Sequence, residues 1–295
     1  MSKNLFVINL LSGRERNRQR LIQQIKQSFN DDIFIIQSKN QFAECLEISK
    51  NYENIIVNGG DGTINSFLPI IIEQNKTLGI LPSGSGNGLA RTLNIPLNAS
   101  SALEIIKQNN VKKIDAGVVK VCFKNKIETQ YFLSAVGFGI DADIAEEFEK
   151  QSTRGFWGYI KVTLKKIFSH QSVNLKLHLN QQTIKGDFLI LSILNIPQYG
   201  NEFYISPSAK VDDGLLNVAM LKKINLLMYP YVLCNLLMKK ERKPMVYFKT
   251  NRMEIDLNEN NKSYHIDGEP RLLSNAEKVV IEVIPSAVKV FVRNN

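Results

Sequence analysis

The sequence predicts two domains, an α/β N-terminal domain and a C-terminal antiparallel β-sandwich domain. Over roughly the first hundred residues, short apolar runs alternate with polar segments of helical pattern. After about Asp115 this alternation stops, and most of the remaining chain consists of β-patterned runs separated by turns. Strand–helix alternation is typical of a parallel sheet covered by helices, whereas successive strands joined by turns favour antiparallel pairing.

Four short apolar runs, each bounded by turn residues, are predicted to be strands of the first domain. They are LFVI at 5–8, IFII at 33–36, NIIV at 54–57 and LGIL at 78–81. Segments of helical pattern lie between them, at residues 14–29, 41–50 and 63–74. Ligands in this architecture bind outside the carboxyl ends of the strands. The glycine-rich turns lie at those ends, at residues 12–13, 59–62 and 84–88.

The second region begins with a predicted β-hairpin, formed by VVKVCF, a KNK turn and IETQYFLSAV. Six further β-patterned runs follow: VNLKLHLN, TIKGDFLILSIL, GLLNVAML, MVYFKTNRMEIDL, KSYHI and KVVIEVI. Helices are predicted to interrupt them at residues 141–150, 158–169 and 224–240. This pattern predicts the antiparallel sandwich.

Composition narrows the class of protein and its surroundings. The formal charge of +9 favours polyanionic partners such as a nucleotide or an acidic membrane, although a solvated basic surface is an equal alternative. No nucleic-acid-binding motif occurs. Three cysteines without a CxxC pattern argue against disulfides or a thiolate metal site and indicate a reducing cytoplasm. The most apolar stretch, Leu226–Met238, spans 13 residues, whereas a bilayer crossing needs about 20.

The run Asn58-Gly59-Gly60-Asp61-Gly62-Thr63 follows the third strand and leads into a helix. Glycines allow a sharp turn and close backbone approach, and amides near a helix N-terminus bind phosphate. A carboxylate in such a turn repels phosphate, so Asp61 indicates that a metal ion or a reacting hydroxyl is handled there. The structural alternative is a tight turn in which Asp61 is an N-cap.

A second glycine-rich turn, from Leu81 to Arg91, follows the next strand with the sequence LPSGSGNGLAR. Two such turns on neighbouring strands favour a nucleotide-binding cradle more strongly than either turn alone. Neither is a GxxxxGK[ST] loop or a GxGxxG fingerprint. A dinucleotide oxidoreductase is therefore disfavoured.

The pair GGDGT and PSGSGNGLAR resembles the catalytic domain of the diacylglycerol kinase and sphingosine kinase superfamily, especially its bacterial lipid kinases. The resemblance continues in order with GFGIDADIA at 137–145, ISPSAKVDDGLLNV at 205–218 and HIDGEP at 265–270. It implies a Rossmann-like first domain, similar to phosphofructokinases and NAD kinases, with ATP and Mg²⁺ bound between the domains. We place the domains at 1–122 and 123–285, and the resemblance implies that 286–295 packs back on the first.

The resemblance also implies a set of site residues. The ATP-binding residues are Asn9, Leu10, Leu11, Ser12, Gly13, Ser38, Gly59, Gly60, Asp61, Gly62, Thr63, Ile64, Asn65, Ser66 and Ser85. The magnesium ligands are the Asp213 carboxylate and the carbonyls of Lys210 and Leu215, and Asp115 and Asp267 are expected in the hydrated metal network. Glu269 is the expected general base, with Asp61 as the competing candidate. His265 is expected to be a strand residue.

The expected function is phosphorylation of a membrane lipid, most simply diacylglycerol, by a peripheral cytoplasmic enzyme of phospholipid metabolism. A sphingoid-base kinase, an NAD kinase-like enzyme and a non-catalytic binding module are the alternatives. Segments 158–169 and 226–243 combine basic and apolar residues and are expected at an anionic membrane surface, unless they are core-packed helices with solvated ends. A homodimer is compatible with the sequence. The sequence departs from the family pattern at positions such as Leu10, where the family usually has proline. These departures affect the expected lipid pocket more than the expected phosphate chemistry.

Overall fold

A computed structural model describes residues 3–11, 18–140, 172–198, 204–258, 261 and 263–294. The chain divides into two compact units, one of Met1–Ile114 with Ser286–Asn295 and one of Asp115–Pro285. This division lies inside strand β5, Val111–Phe123, and the boundary predicted after residue 122 lies near the end of the same strand. The strand continues through the division without a break. The helices predicted at 141–150 and 158–169 lie outside the described residues.

The first unit contains a parallel sheet connected by helices, which confirms the predicted α/β class. Its strands are β1 Asn4–Asn9, β2 Asp32–Ile36, β3 Asn54–Gly59 and β4 Thr77–Pro82. Its helices are α1 Arg18–Ser28, α2 Gln41–Ser49, α3 Asp61–Glu73, α4 Gly88–Thr92 and α5 Ala99–Gln108. The strand order is β2-β1-β3-β4, and the end of the last strand of the chain pairs in parallel with β4.

Burial explains why the strands of this unit are apolar throughout. All six residues of β3 are buried, as are the last five of β1 and of β4. At the amino end of the sheet, the Lys76 ammonium donates to the carbonyls of Lys50, at 2.8 Å, and Tyr52, and so links the approaches to β3 and β4. Desolvation lowers the pKa of Lys76. The strand ends opposite this anchor lead into the glycine-rich turns.

The second unit is built from antiparallel strands, as predicted. Its strands are β6 Ile127–Phe132, β7 Ala135–Gly139, β8 Val173–Leu179, β9 Gln182–Leu194, β10 Leu216–Lys222, β11 Val246–Thr250, β12 Arg252–Asp256, β13 Ser263–Ile266, β14 Glu269–Leu272 and β15 Ala276–Phe291, together with most of β5. The main order is β14-β13-β7-β9-β8-β12-β15, with β10 paired to β9 and β11, and β6 to β5. One helix is described, α6 Tyr229–Leu237, which follows a 3-10 turn at Leu226–Met228 where one longer helix, 224–240, was predicted.

Strand β10 has two buried faces, and this places α6. Val218 and Met220 belong to the larger apolar core of the unit. Ala219 and Leu221 belong to a second cluster that includes α6. Because side chains of a strand alternate between its two faces, β10 separates a β-sheet core from a helix-covered layer.

Candidate active site

Two glycine-rich turns of the first unit contact each other through their backbones. A Cβ atom built on Gly84 would lie 2.6 Å from the Cα atom of Gly60, and one built on Gly60 would lie 3.1 Å from the Cα atom of Gly84. The Ser83 amide donates to the Gly59 carbonyl over 3.0 Å. Because no side chain fits between them, the turns after β3 and β4 present a continuous backbone surface. Such a surface can bind phosphate through its amide groups.

Asp61 is the first residue of α3, and its carboxylate links the two turns. Its oxygens accept the amide of Gly88 at 3.0 Å and the amide of Leu89 at 3.3 Å. Desolvation raises the pKa of Asp61, and the hydrogen bonds from backbone amides oppose that rise. Asp61 therefore caps the N-terminus of α4 rather than that of its own helix.

Asn87 closes the second turn, although the sequence did not mark it as a site residue. It adopts a left-handed backbone conformation with φ of +50°. Its side chain donates to the Gly84 carbonyl at 2.8 Å and accepts the Gly84 amide at 3.0 Å. Asparagine tolerates this conformation better than most residues. An asparagine between the glycines of GSGNG was therefore the available sequence signal for a left-handed residue in the turn. Ser85 is exposed at the tip of the turn that Asn87 holds.

The end of β1 is tied to α3 through Asn9. Its side-chain amide donates to the Thr63 hydroxyl at 2.9 Å, and its side-chain oxygen accepts the Leu11 amide at 2.9 Å. The Leu10 amide donates to the Ile36 carbonyl at the end of β2. The predicted first nucleotide loop thus starts at the same sheet edge as the glycine turns, while its residues 12 and 13 lie outside the described residues.

The remaining predicted ATP-binding residues divide by exposure. Ser38 and Ser66 are exposed, Gly62 and Asn65 are partly exposed, and Thr63 is buried. Ile64 is only 3% exposed, and its amide donates to the Gly60 carbonyl. Helical periodicity turns the Ile64 side chain into the core, and a contact between Ile64 and ATP stays a prediction.

Two buried polar atoms at this sheet edge have no hydrogen-bond partner among the described residues. They are the side-chain oxygen of Asn58 and the hydroxyl of Ser83. The Asn58 amide group is used, because it donates to the Leu81 carbonyl at 3.0 Å. Buried polar atoms are normally satisfied, so an unpaired acceptor and hydroxyl beside a backbone cradle fit a polar ligand such as a nucleotide. A polar residue ending a buried strand was the available sequence signal for Asn58.

In the second unit, a loop before β10 carries the predicted metal ligands. Asp213 accepts the Leu215 amide at 3.2 Å through one oxygen and the Lys249 ammonium at 2.7 Å through the other. Asp115 is buried and accepts the Gly214 amide at 2.7 Å. The exposed Lys210 precedes this pair of contacts in the same loop.

The donors of this loop fit a hard cation in kind, since Mg²⁺ takes carboxylate and carbonyl oxygens and retains waters. They are few, however, and no group of three acidic, histidine or cysteine side chains suited to a metal occurs in the described ranges. The Lys249 ammonium already neutralises Asp213. A magnesium ion held by Asp213 and the Lys210 and Leu215 carbonyls must therefore displace or tolerate Lys249.

Asp267, in the turn between β13 and β14, joins this turn to the segment that leads into β7. Its oxygens accept the amides of Leu133 at 3.0 Å, Ser134 at 2.8 Å and Ala135 at 2.8 Å. We expected Asp267 in a hydrated metal network. That role stays a prediction, and the three amide donors show that the carboxylate also fixes the approach to β7.

Glu269 begins β14 directly after a two-residue turn, in which Asp267 and Gly268 both have positive φ, of 48° and 83°. Its side chain is 44% exposed and pairs with the Arg271 guanidinium at 2.8 Å. Arg271 also donates to the Gln130 side chain at 3.3 Å. Residues two apart on a strand share a face, so this pairing was the available signal for Arg271, which sequence reasoning missed.

His265 lies in β13, as predicted, and is 4% exposed. Desolvation lowers the pKa of its imidazole to about 4. The ring nitrogen Nδ1 accepts the Gly268 amide at 3.3 Å. His265 is therefore neutral at pH 7 and supports the turn that carries Glu269.

Asn195, fully buried, joins two parts of the second unit that carry candidate residues. Its side-chain amide donates to the carbonyls of Asp115, at 2.9 Å, and Leu133, at 3.1 Å. Asp115 holds the loop of the predicted metal ligands, residues 210–215, which we call the metal loop. Leu133 is one of the residues bound by Asp267. A single amide thus connects the metal loop to the turn of Glu269, a relation that depends on long-range pairing and left no local sequence signal.

Two family models match the chain in order. "Diacylglycerol kinase catalytic domain" matches residues 3–119, and "YegS C-terminal NAD kinase beta sandwich-like domain" matches residues 134–292. The chain belongs to the bacterial lipid kinase family. The first model contains both glycine turns of the site, and the second contains Asp213, Asp267 and Glu269. The resemblance seen in the motifs and the β-sandwich class are thereby confirmed.

Individual relatives of this lipid kinase are distant. A "Probable lipid kinase YegS-like" protein of Shewanella frigidimarina is 26% identical over 82% of this chain and 77% of its own. A "Diacylglycerol kinase" of Staphylococcus saprophyticus is 26% identical over 61% of this chain and 57% of its own.

Two solved structures share the fold. A diacylglycerol kinase structure from Bacillus anthracis has a TM-score of 0.73 at 20% identity, covering 99% of this chain and 97% of the other. A yeast NADH kinase structure has a TM-score of 0.62 at 8% identity, covering 99% and 84%. Within the described part of this lipid kinase, no helix has the length and apolarity that a bilayer crossing needs.

We predict that Lys249→Met increases the affinity for Mg²⁺, because the ion no longer competes with an ammonium for Asp213. An exposed ion pair of this kind corresponds to about a two- to fivefold change in the dissociation constant. Isothermal titration of Mg²⁺ in the absence of nucleotide measures it. Lys278→Met, which removes a lysine paired with Glu254, is the matched control. Unchanged affinity in Lys249→Met would exclude competition at Asp213.

We also predict that His265 makes the folded protein sensitive to mild acid. The unfolded chain takes up a proton near pH 6.5, whereas folded His265 resists protonation down to about pH 4. Stability is therefore fully present above pH 6.5 and falls by up to about 3 kcal/mol as the pH approaches 4. His265→Asn keeps an acceptor for Gly268 and should reduce this loss.

The measurement is the free energy of unfolding in urea at several pH values. His178→Asn is the control, since His178 is partly exposed and paired with Asp256. Identical pH slopes for wild type and His265→Asn would contradict the assignment.

Proposed function

We propose that this lipid kinase transfers the terminal phosphoryl group of ATP to the hydroxyl of diacylglycerol, which yields phosphatidic acid and ADP. The observation that carries the proposal is the backbone contact between Gly60 and Gly84, where two amide-rich turns meet at the carboxyl ends of β3 and β4. Phosphoryl transfer depends mainly on positioning and on neutralising phosphate charge, and such a surface supports both. The family membership supports ATP as the donor.

In the proposed reaction, the lipid hydroxyl oxygen forms a bond to the γ-phosphorus as the bond to the β–γ bridging oxygen breaks. The hydroxyl proton passes to a carboxylate. Glu269 suits this role because its side chain is 44% exposed and, among the residues that the structure describes, pairs with the Arg271 guanidinium. Both oxygens of Asp61 already accept backbone amides, which supports a positioning role for Asp61.

Magnesium, when bound, would neutralise phosphate charge and order the loop around Asp213. The residues proposed to hold it are the Asp213 carboxylate and the carbonyls of Lys210 and Leu215. Asp115 would fix the loop by accepting the Gly214 amide.

The engagement of three aspartates in the described part of the second unit supports a neutral glycerolipid as the acceptor. A sphingoid base brings an ammonium that requires an available carboxylate in the pocket. Asp115 and Asp267 are committed to backbone amides, and Asp213 is paired with Lys249. The GDGT motif also resembles bacterial diacylglycerol kinases. A sphingoid-base kinase is the second candidate, because GSGN at 84–87 resembles those enzymes.

Glu269→Gln should lower kcat by about 10²–10⁴ with little change in KM for ATP, because it keeps the shape of the side chain but removes the proton acceptor. Steady-state kinetics in mixed micelles measure the effect. Glu277→Gln, an exposed glutamate of the same unit, is the control. A fall in kcat of less than about threefold would assign proton removal to Asp61 or to water.

The lipid preference is tested by kcat/KM for diacylglycerol and for sphingosine in identical micelles. We expect the neutral glycerolipid to be the better substrate. A preference of about tenfold for sphingosine, equivalent to about 1.4 kcal/mol in transition-state binding, would favour the sphingoid-base assignment.

A further inference from the structure

Large apolar side chains are exposed in one short segment of the second unit. Of the eleven exposed large hydrophobic side chains in the described ranges, five lie in it: Leu227 at 85%, Met228 at 40%, Tyr231 at 44%, Leu237 at 42% and Met238 at 52%. Scattered apolar residues on a surface are ordinary, but a contiguous group marks an interaction site. We call residues 227–243 the α6 surface.

The apolar residues of the α6 surface are not needed to attach the helix to the fold. Val232 and Leu236, on the opposite face, are 6% and 4% exposed and pack in the cluster with Ala219 and Leu221. Leu227, Tyr231, Cys234 and Met238 follow one another at intervals of four, three and four residues, which is the spacing of one helical face. The helix thus has an inner apolar face in the core and an outer apolar face in solvent.

Basic residues flank this outer face. Lys222 and Lys223 precede it, and Lys239, Arg242 and Lys243 follow it, all exposed. The Lys239 ammonium lies over the Tyr204 ring, 4.2 Å from its centroid, and is held beside the helix end.

Glu241, the acidic residue of the α6 surface, forms hydrogen bonds with a neighbouring loop. Glu241 accepts the hydroxyls of Ser206 and Ser208, both at 2.7 Å, and the Ser208 amide at 3.0 Å. Its charge is therefore directed to a neighbouring loop, and the exposed charges of the α6 surface are positive.

We propose that the α6 surface docks on a bilayer that contains anionic lipid, with α6 lying in the plane of the interface. An apolar helix face with cations at its ends matches the interface, where acyl chains lie beneath anionic headgroups. A net charge of +9 adds a general attraction to an anionic surface. The proposal deepens the proposed function, since the acceptor lipid resides in a bilayer, but docking itself rests on the exposed residues.

The first experiment measures binding to sedimenting vesicles without ATP. Vesicles of phosphatidylglycerol and phosphatidylcholine are compared with phosphatidylcholine alone. Leu227→Gln with Met238→Gln should weaken binding to anionic vesicles roughly tenfold or more. Lys239→Gln with Lys243→Gln should weaken binding to anionic vesicles by roughly fivefold for each charge removed. Added salt should also weaken binding of the unchanged protein, because it screens the same charges.

The control lies on the β5–β6 hairpin, which also presents an exposed apolar residue beside a lysine, here paired with Glu128. Ile127 is 64% exposed, and Lys126 is exposed beside it. Ile127→Gln with Lys126→Gln should leave vesicle binding unchanged. Equal loss in this control, or no loss in the α6 variants, would overturn the proposal.

Cys234 allows a direct test, because it is an exposed cysteine in the outer face of α6. Cys45 is buried, and burial raises the pKa of its thiol to about 12, so it does not react with a dye at neutral pH. A polarity-sensitive dye on Cys234 in a Cys122→Ser background should shift to the blue with anionic vesicles. The same dye on Cys122 in a Cys234→Ser background should not. Identical spectra at the two sites would overturn the placement.

Two further outcomes separate the alternatives. A dimer in sedimentation velocity that depends on Leu227, without vesicle binding, would overturn the proposal and assign the α6 surface to a second copy of the chain. Turnover of a short-chain diacylglycerol dispersed as monomers should be unchanged in the Leu227 and Met238 variants. Vesicle docking without turnover of any lipid would instead support the docking proposal and count against the proposed function.

Discussion

The hydrogen bond from backbone amides to an aspartate carboxylate is the interaction on which the candidate residues of each unit depend. Asp61 binds the amides at the start of α4, Asp115 binds the amide of Gly214, and Asp267 binds three consecutive amides at the start of β7. Each bond is charge-assisted and joins segments far apart in sequence. The glycine turns and the metal loop are therefore held in place by residues that also look suited to catalysis.

The acidic candidate residues differ in whether their partners are backbone amides or charged side chains. A carboxylate that accepts two or three amides has few lone pairs left for a proton or a metal. Glu269 and Asp213 differ, because their charged partners are the flexible side chains of Arg271 and Lys249. Side chains can move away from a ligand, whereas backbone amides cannot. We therefore propose Glu269 for proton transfer and Asp213 for metal binding, whereas Asp61, Asp115 and Asp267 hold backbone segments of their own units in place.

Much of the fold followed from local sequence pattern. Runs such as NIIV at 54–57 are buried strands because both faces of a parallel sheet are covered, and the glycines at 60 and 84 lie where no side chain fits. What the sequence could not show depended on distant contacts or on orientation. The side chain of Ile64 points into the core although its motif is a nucleotide motif, and Lys249 meets Asp213 only through pairing of β10 with β11. The units divide at Asp115, where the alternation of strands and helices stops, although β5 continues through this point without a break.

The central claim is that the paired glycine turns serve phosphoryl transfer to a lipid rather than to a nucleotide. The NADH kinase fold is shared at 8% identity, so fold alone does not decide between these acceptors. The most direct measurement is transfer of labelled phosphate from ATP to a panel of diacylglycerol, sphingosine and NAD, with the products separated by chromatography. The account predicts label in phosphatidic acid and none in NADP. Label in NADP, or in no lipid at all, would contradict it.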